Sequence, residues 1–521
     1  MLVAGLILLA ACKQGPDFFS PAPPAETAYA HPEDPIPPNV DAPHDKKHGE
    51  AQRIAIGAKI KDDWWTLFHS PDLDAVIKQA LRDSPTLAQT EAQLAQAREL
   101  VTAAAGAALP QVDLNAGGGR QAIDVAPNGL ARGPAPVNVF LVSPTVVYTA
   151  DVFGAIGRNV EAQSALADAT DYQVAAAYLT LCGNIATQAI NIASLNAQIR
   201  TVHDIIADDE QNLKLVNTAE AGGTATMVDV TTAQSQLDSD RALLPPLRQQ
   251  LSVARDAMTV YVGKVPADWS PPEFHIATLT FPPVVPVSLP SDLVRQRPDI
   301  LVAEAQLHAN AALVGVATAN LYPKFTLTGS ITQESIYINH FFSPEFDGWS
   351  LLANAAIPIF HGGTLHAQQR AAVDAFNASW AAYRQTVIAA FGQVADLLQA
   401  LSHDDEAVKT NREALATSEQ ALKLARLSYQ AGNSTLLQLL DPERQREQAQ
   451  LGVVRAEAQR LSDTAQLLVA LGSGWWNTPP AVPGPQPDPH AMTPGSPTST
   501  PAPPSTGTED AGPFWDRWFK S

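Results

Sequence analysis

Proline is missing from two long stretches of an otherwise proline-rich chain. The sequence carries 42 prolines in 521 residues, yet none lies between Phe153 and Glu220 or between Gly362 and Gln430. Nothing in those stretches removes a backbone donor or forces a helix to break. Charge is also scarce. Charged residues make up 17% of the chain, low for long solvated coiled coils, so its helices must bury small-residue faces against neighbours. Basic residues are outnumbered 33 to 53, for a net charge of −20. That balance excludes the basic stripes that nucleic-acid binding needs. After the N-terminus there is no run of eighteen apolar residues, so no transmembrane helix is expected.

Arrangements that carry chemistry are missing too. No Ser/His/Asp or Cys/His constellation is readable. Gly117-Gly118-Gly119-Arg120 lacks the Lys-Ser/Thr that completes a phosphate loop. His361 and His366 stand five apart, the wrong step for a helical metal pair. His31, His44 and His48 lie in a Pro/Ala/Asp-rich tether. No enzymatic activity, cofactor or metal is expected.

Cysteine is nearly absent. Cys12 follows a short apolar run ending in Leu9-Ala10-Ala11, and small residues before a cysteine resemble a bacterial lipoprotein signal. Cys12 is then the lipidated first residue of the mature chain. The run carries no Lys or Arg ahead of it, a departure from the usual pattern. Lys13 after the cysteine, rather than Asp, resembles sorting to the outer membrane. A multiply acylated Cys12 would hold the protein to lipid without spanning it. Cys182 sits in a helical pattern and reads as a small buried hydrophobe.

What the chain does have is a repeat, the feature to seek first in any sequence. Arg82-Asp83-Ser84-Pro85-Thr86-Leu87 answers to Arg295-Gln296-Arg297-Pro298-Asp299-Ile300, and Glu91-Ala92-Gln93-Leu94 to Glu304-Ala305-Gln306-Leu307. The offset is constant, since 298 − 85 = 213 and 323 − 110 = 213 for the two later prolines. Each copy reads helix, two strands, long helical hairpin. Helical patterns run from Pro71 to Leu109 and from about Ser291 to Leu321, stopped by Pro110 and Pro323. Alternation marks strands at about 111–120, 137–148, 325–335 and 349–358. A Gly/Pro-rich loop is expected from Gly117 to Pro136. The proline-free stretches are each roughly 100 Å long if helical at ~1.5 Å per residue. Ala221-Gly222-Gly223-Thr224 and Ala431-Gly432-Asn433-Ser434 break them. The return segments carry seams at three- and four-residue steps, Leu237, Asp240, Leu244, Leu247, Leu251 in one and Leu451, Val454, Ala458, Leu461 in the other. Pro245-Pro246 should kink or restart the first.

The expected organisation is a signal over 1–11, a tether over 12–60, a first repeat over 61–262, a linker over 263–290, a second repeat over 291–472 and a Pro/Ser/Thr-rich tail over 473–521. Hairpins are placed at about 153–262 and 362–472. Four strands cannot close a membrane barrel, which takes about eight. If the strands enter lipid, the chain must therefore oligomerise, since open edges there leave backbone groups unpaired. Three copies would supply twelve strands. The apolar strand faces, with Trp349 and Tyr148 near strand ends, suit lipid and its interface. A soluble sheet packed on the helices is the alternative.

The paired segments, the cysteine signal, Leu289-Pro290-Ser291-Asp292-Leu293-Val294-Arg295-Gln296-Arg297-Pro298-Asp299-Ile300 and Ile357-Pro358-Ile359-Phe360-His361-Gly362-Gly363 resemble the TolC-like outer-membrane efflux factors, most nearly their NodT-type lipoprotein branch. The resemblance covers about residues 60 to 475. It implies a mainly α protein with a small β part: a trimeric transmembrane β-barrel, four strands per protomer, continued by a long α-helical barrel. It implies a lipid-anchored homotrimer in the outer membrane with a periplasmic tunnel. Its partners would be a periplasmic adaptor and an RND-type inner-membrane pump, and it would conduct drugs or other toxic small molecules passively. A protein-secretion channel and a poreless lipid-anchored scaffold are the competing readings.

By the same resemblance, Asp229 and Tyr429 match tip residues of a closing network, and Asp441 matches one of two aspartates ringing the pore. The other ring position is Gln438 here, and Ser434 stands where an arginine often closes the network. The turns at Gly222, Gly223, Thr224 and at Gly432, Asn433, Ser434 match adaptor-contact tips. Three copies of Asp441 in a narrow pore would favour cations. A solvated helix aspartate is the plainer reading, and for the glycines plain helix-breaking chemistry.

Overall fold

The computed structural model describes residues 13–24, 28–29, 53–58, 60–123, 135–341, 343, 347–473 and 475. Cys12 and the tail from 476 onward lie outside the described residues.

In chain order, strand β1 (Arg53–Ile56) precedes helices α1 (Pro71–Asp83) and α2 (Pro85–Gly106). Strands β2 (Gln111–Ile123) and β3 (Ala135–Ala150) follow, then the long helix α3 (Ala155–Ala221) and its return, α4 (Met227–Arg241) and α5 (Leu244–Val262). Strand β4 (Val284–Val287) leads into the second copy: α6 (Pro290–Gln296), α7 (Pro298–Ala319), β5 (Lys324–Ser335), β6 (Asp347–Ala356), α8 (Thr364–Gln430) and α9 (Leu436–Ala470).

The duplication extends to element boundaries. Helices α2 and α7 have 22 residues each and are followed by strands that start 213 residues apart, at Gln111 and Lys324. Helices α3 and α8 have 67 residues each, roughly 100 Å at ~1.5 Å per residue. Each is opened by a glycine in the left-handed region, Gly154 and Gly363.

Several sequence expectations need correction. The helices expected over Pro71–Leu109 and 291–321 are each split in two, at Ser84 and Arg297. Both residues precede a proline, whose ring clashes with a helical neighbour. They accordingly sit at φ −69°, ψ 118° and φ −77°, ψ 122°. Strand β2 passes through Gly117, Gly118 and Gly119 as expected and runs on beyond 120 to Ile123, paired with Ala135–Leu141, so the loop expected from Gly117 to Pro136 is shorter. Glycine costs a strand entropy but not its ladder hydrogen bonds. Strand β6 stops at Ala356, short of Pro358, which has no N–H to donate. Pro245-Pro246 restarts the helix, so α5 begins anew at Leu244. Pro442 lies inside α9 without ending it.

Two further features fall in the stretches read as tether and linker. β1 and β4 pair in parallel, Ile54 opposite Val285. Residues 13–18 are docked on the helices. Gly15, at φ +89°, lies so close to Gly315 that a Cβ there would overlap the Gly315 backbone. Arg158, almost fully buried, donates to the carbonyls of Gln14 and Gly15 and to Asp17, while its other arm meets Glu161 at 2.9 Å. Phe18 stacks on His308, which lies 3.2 Å from the same Glu161.

The main core lies where α1, α3, α5, α8 and α9 meet, around Trp64, Phe68, Ile77, Ile185, Met258, Val394 and Leu461. Cys182 is within it and fully buried. Helix α7 is long and apolar enough by composition to cross a membrane, but Ile300 and Leu307 bury it in this core instead.

Candidate functional site

The four long strands form one antiparallel sheet in the order β2-β3-β5-β6. Its register separates two faces, because residues directly opposite in an antiparallel pair point the same way. One face carries Val112 and Leu114 of β2, Val146 and Tyr148 of β3, Phe325, Leu327 and Ile331 of β5, and Trp349 and Leu351 of β6. The other carries Asp113, Asn115, Ser143, Thr145, Thr326, Thr328, Ser330, Thr332, Ser350 and Asn354. On that polar face, hydroxyls pair across strands, Ser143 with Thr332 at 3.0 Å and Ser330 with Ser350 at 2.9 Å. The apolar face is bare: Trp349 is 82% exposed, Leu351 74% and Val112 69%. Strands of 10 to 16 residues reach the ~9–11 that a tilted membrane strand needs. β2 and β6 are left as edges.

At the far ends of the hairpins, the two turns are copies of one another. Gly223 and Gly432 take positive φ, +76° and +73°, which glycine adopts without strain. The backbone N–H of Thr224 reaches back to the Ala219 carbonyl at 2.8 Å, as that of Asn433 does to Ser428 at 2.9 Å. Gly222, Gly223, Thr224, Gly432 and Asn433 are exposed. Ser434 is half-buried, and its Oγ lacks a hydrogen-bond partner.

The return helices start from capping boxes, in which a side chain three residues in satisfies the first backbone donor. Asp229 Oδ2 accepts from Thr226 N at 2.8 Å and from Thr226 Oγ1 at 2.7 Å. These bonds hold the Asp229 carboxyl below its usual range. Gln438 Oε1 accepts from Thr435 N at 3.0 Å. Asp441 is exposed, 3.3 Å from the Arg444 guanidinium, and accepts from Gln445 Nε2 at 3.0 Å. Tyr429 packs with Val216, Val230, Leu422, Leu439 and Leu440, an apolar knot joining both hairpins. No hydrogen bond joins Asp229 to Tyr429 among the described residues. The structure thus gathers Tyr429, Asp229 and Gln438 at the two tips, with Asp441 on the first turns of α9. Each carboxylate is engaged on its own helix.

The profile of the family described as outer membrane efflux protein matches residues 76–264 and 289–473, one stretch in each half. The chain belongs to the outer membrane efflux protein family. Pyoverdine export outer membrane protein OpmQ of Pseudomonas aeruginosa is 30% identical over 432 residues, covering 81% of this chain and 90% of that protein. Nodulation protein T of Rhizobium leguminosarum is 26% identical over 471 residues, covering 90% and 96%. The solved structure of the outer-membrane channel OprN superposes with a TM-score of 0.78 at 24% identity, over 89% of this chain and all of that one. This outer membrane efflux protein shares the fold of that solved structure, mainly helical with a small β part. The NodT-type likeness holds as well.

Sequence reasoning overlooked one group of polar residues inside the helical layer. Asp209 of α3, Asp240 of α4 and Glu447 of α9 are all buried, with carboxylate oxygens within 4.8 Å of one another. Asp240 was visible as the one acid in an apolar seam. Glu447 falls four residues before Leu451, in line with the other seam.

Proposed function

We propose that three copies join their sheets edge to edge, β6 of one beside β2 of the next, into a twelve-stranded barrel. The long hairpins continue it as a tunnel. The observation that supports this is the sheet itself: one bare apolar face, one polar face and two open edges. Lipid leaves an open edge unsatisfied at several kcal/mol per group, ~4–8 in an alkane-like medium. A closed ring removes the edges, turns Trp349 and Leu351 to lipid and leaves the serines and threonines facing water.

In this reading the protein is the passive outer duct of a three-part pump. It takes toxic small molecules from a periplasmic adaptor and an RND-type inner-membrane pump, with no chemistry of its own. The pyoverdine-exporting relative supports a small-molecule cargo. Cys12 supplies a lipid anchor, and the docked segment from Lys13 to Phe18 fixes where that anchor emerges. Gly222, Gly223, Thr224, Gly432, Asn433 and Ser434 form the adaptor-facing tips. Asp229, Tyr429, Gln438 and Asp441 surround the constriction.

Cysteine pairs placed along β2 and β6 test the edge-to-edge joint in native membranes. The expected result is oxidation to a covalent trimer. Intact monomers for every pair along both strands would reject it. Cys182 will not interfere, because burial pushes its thiol pKa up and hides it.

A further inference from the structure

The carboxylates of Asp209, Asp240 and Glu447 come from three helices, α3 and its return α4 in the first hairpin and α9 in the second. They are 4%, 8% and 7% exposed. Their oxygens lie within 4.8 Å of one another, a span that Ca–O bonds of about 2.3–2.6 Å can reach from one centre. Counter-charges nearby are already engaged. Arg446 pairs with Asp208 at 3.2 Å, and Arg426 pairs with Glu443 at 3.2 Å and approaches Asp208 at 3.7 Å. Asn212 donates to Glu443 as well. Among the described residues, the one donor into the cluster is Gln236, to Asp240 Oδ2 at 2.7 Å. Asp209 Oδ2 is buried, and among the described residues no donor from outside the cluster reaches it. A buried acceptor left unmade costs about 1–3 kcal/mol, and more when charged.

We propose that Asp209, Asp240 and Glu447 bind one divalent cation, Ca²⁺ in preference to softer metals, and so clasp α3, α4 and α9 together. The donor set is all oxygen, which suits hard cations over thiolate- or imidazole-seeking ones. The orphaned Asp209 oxygen gains a partner, and three like charges gain a neutralising centre. The position adds a consequence. Asp240 is 14 residues beyond Thr226, Glu447 is 12 beyond Thr435, and Asp209 is 13 before Gly222. All three therefore sit about 20 Å up from the turns. A cation there ties the return helix of the first hairpin to that of the second, and opposes their separation at the tips. The site lies within one chain and stands whether or not three chains assemble.

Isothermal titration of the detergent-purified full-length protein with CaCl₂ tests it, after chelator treatment. The expected result is one Ca²⁺ per chain with a rise in melting temperature. Both signals should weaken at least tenfold in Glu447→Gln and in Asp240→Asn, and persist in Asp238→Asn, an exposed acid on the same helix. Far-UV circular dichroism identifies any variant that has not folded, and the other isosteric variant then carries the comparison. Calcium uptake without defined stoichiometry, or unchanged in a folded Glu447→Gln or Asp240→Asn protein, would overturn the proposal by showing that an acidic surface alone binds the ion. No response in the parent protein would overturn it too, with a proton shared among the acids in place of the metal.

Discussion

Asp229 and Gln438 are the same residue position in the two halves, 209 apart, and each accepts the first backbone N–H of its return helix. The distances are 2.8 Å from Thr226 N to Asp229 Oδ2 and 3.0 Å from Thr435 N to Gln438 Oε1. The acid at one tip and the amide at the other therefore share a local duty, whatever they do across the pore. The departure from an aspartate at 438 keeps this duty, because an amide oxygen accepts as a carboxylate oxygen does.

Loss of the cap should loosen one tip without unfolding the protein. Thr226→Ala removes the hydroxyl that accepts from Asp229 N at 3.3 Å. The expected cost is about 1 kcal/mol, confined to the start of α4. Hydrogen exchange at residues 227–230 should accelerate several-fold, while exchange in the core around Ile185 and Met258 stays unchanged.

The docked N-terminal segment should depend on the missing side chain at Gly15, as on that at Gly315. Gly15→Ala places a Cβ against the Gly315 backbone at a positive φ. A side chain forced into such a site destabilises by upwards of ~1 kcal/mol. Limited trypsin digestion should then cut after Lys13 faster than in the parent protein, with the long helices equally resistant in both.

Stability should fall as pH rises through neutrality, because of an acidic pair apart from the three-acid cluster. Asp404 of α8 faces Asp463 of α9, with Arg460 nearby but bonded to Asp405 at 2.8 Å. Burial, and then the Asp463 carboxyl, raises the Asp404 pKa from 3.8 to about 7. The folded state thus holds a proton that the unfolded chain releases near 4. Its stabilisation is fully present below that value and is lost as pH climbs through about 7. Melting temperature should be lower at pH 8 than at pH 5, and Asp463→Asn should flatten that slope. An unchanged slope in Asp463→Asn would assign the pH dependence elsewhere.

Much of the architecture was legible because it is written twice. The 213-residue offset carried the helix-to-strand unit, and proline-free stretches marked both 67-residue helices. The splits at Ser84 and Arg297 were missed although each precedes a proline; apolar spacing continues smoothly across both and hides a break made by backbone sterics. The β1–β4 pairing joins four-residue strands more than 220 residues apart, too short for any period to show. Docking of Gly15 on Gly315 depends on two absent side chains, which no hydrophobic pattern records. The tip residues were legible by position, but their capping role depends on the Thr-x-x-Asp and Thr-x-x-Gln spacing that went unread. The buried acids were hardest, since a lone carboxylate on a helix looks solvated until three helices meet around it.

Charge at the proposed constriction should respond to a neighbour as well as to Asp441 itself. Arg444 lies 3.3 Å from the Asp441 carboxylate and offsets part of its field. In reconstituted channels, Asp441→Asn should lower cation selectivity and weaken block by multivalent cations. Arg444→Ala should do the reverse. Equal reversal potentials in the parent and both variants would remove Asp441 from the pore lining.

Planar-bilayer recording of the purified protein tests the channel most directly. Cross-linked trimers should add current in discrete, uniform steps that prefer cations, and monomer fractions should add none. A stable trimer that seals the bilayer without conductance, or a monomer that conducts alone, would contradict a pore built from three open sheets.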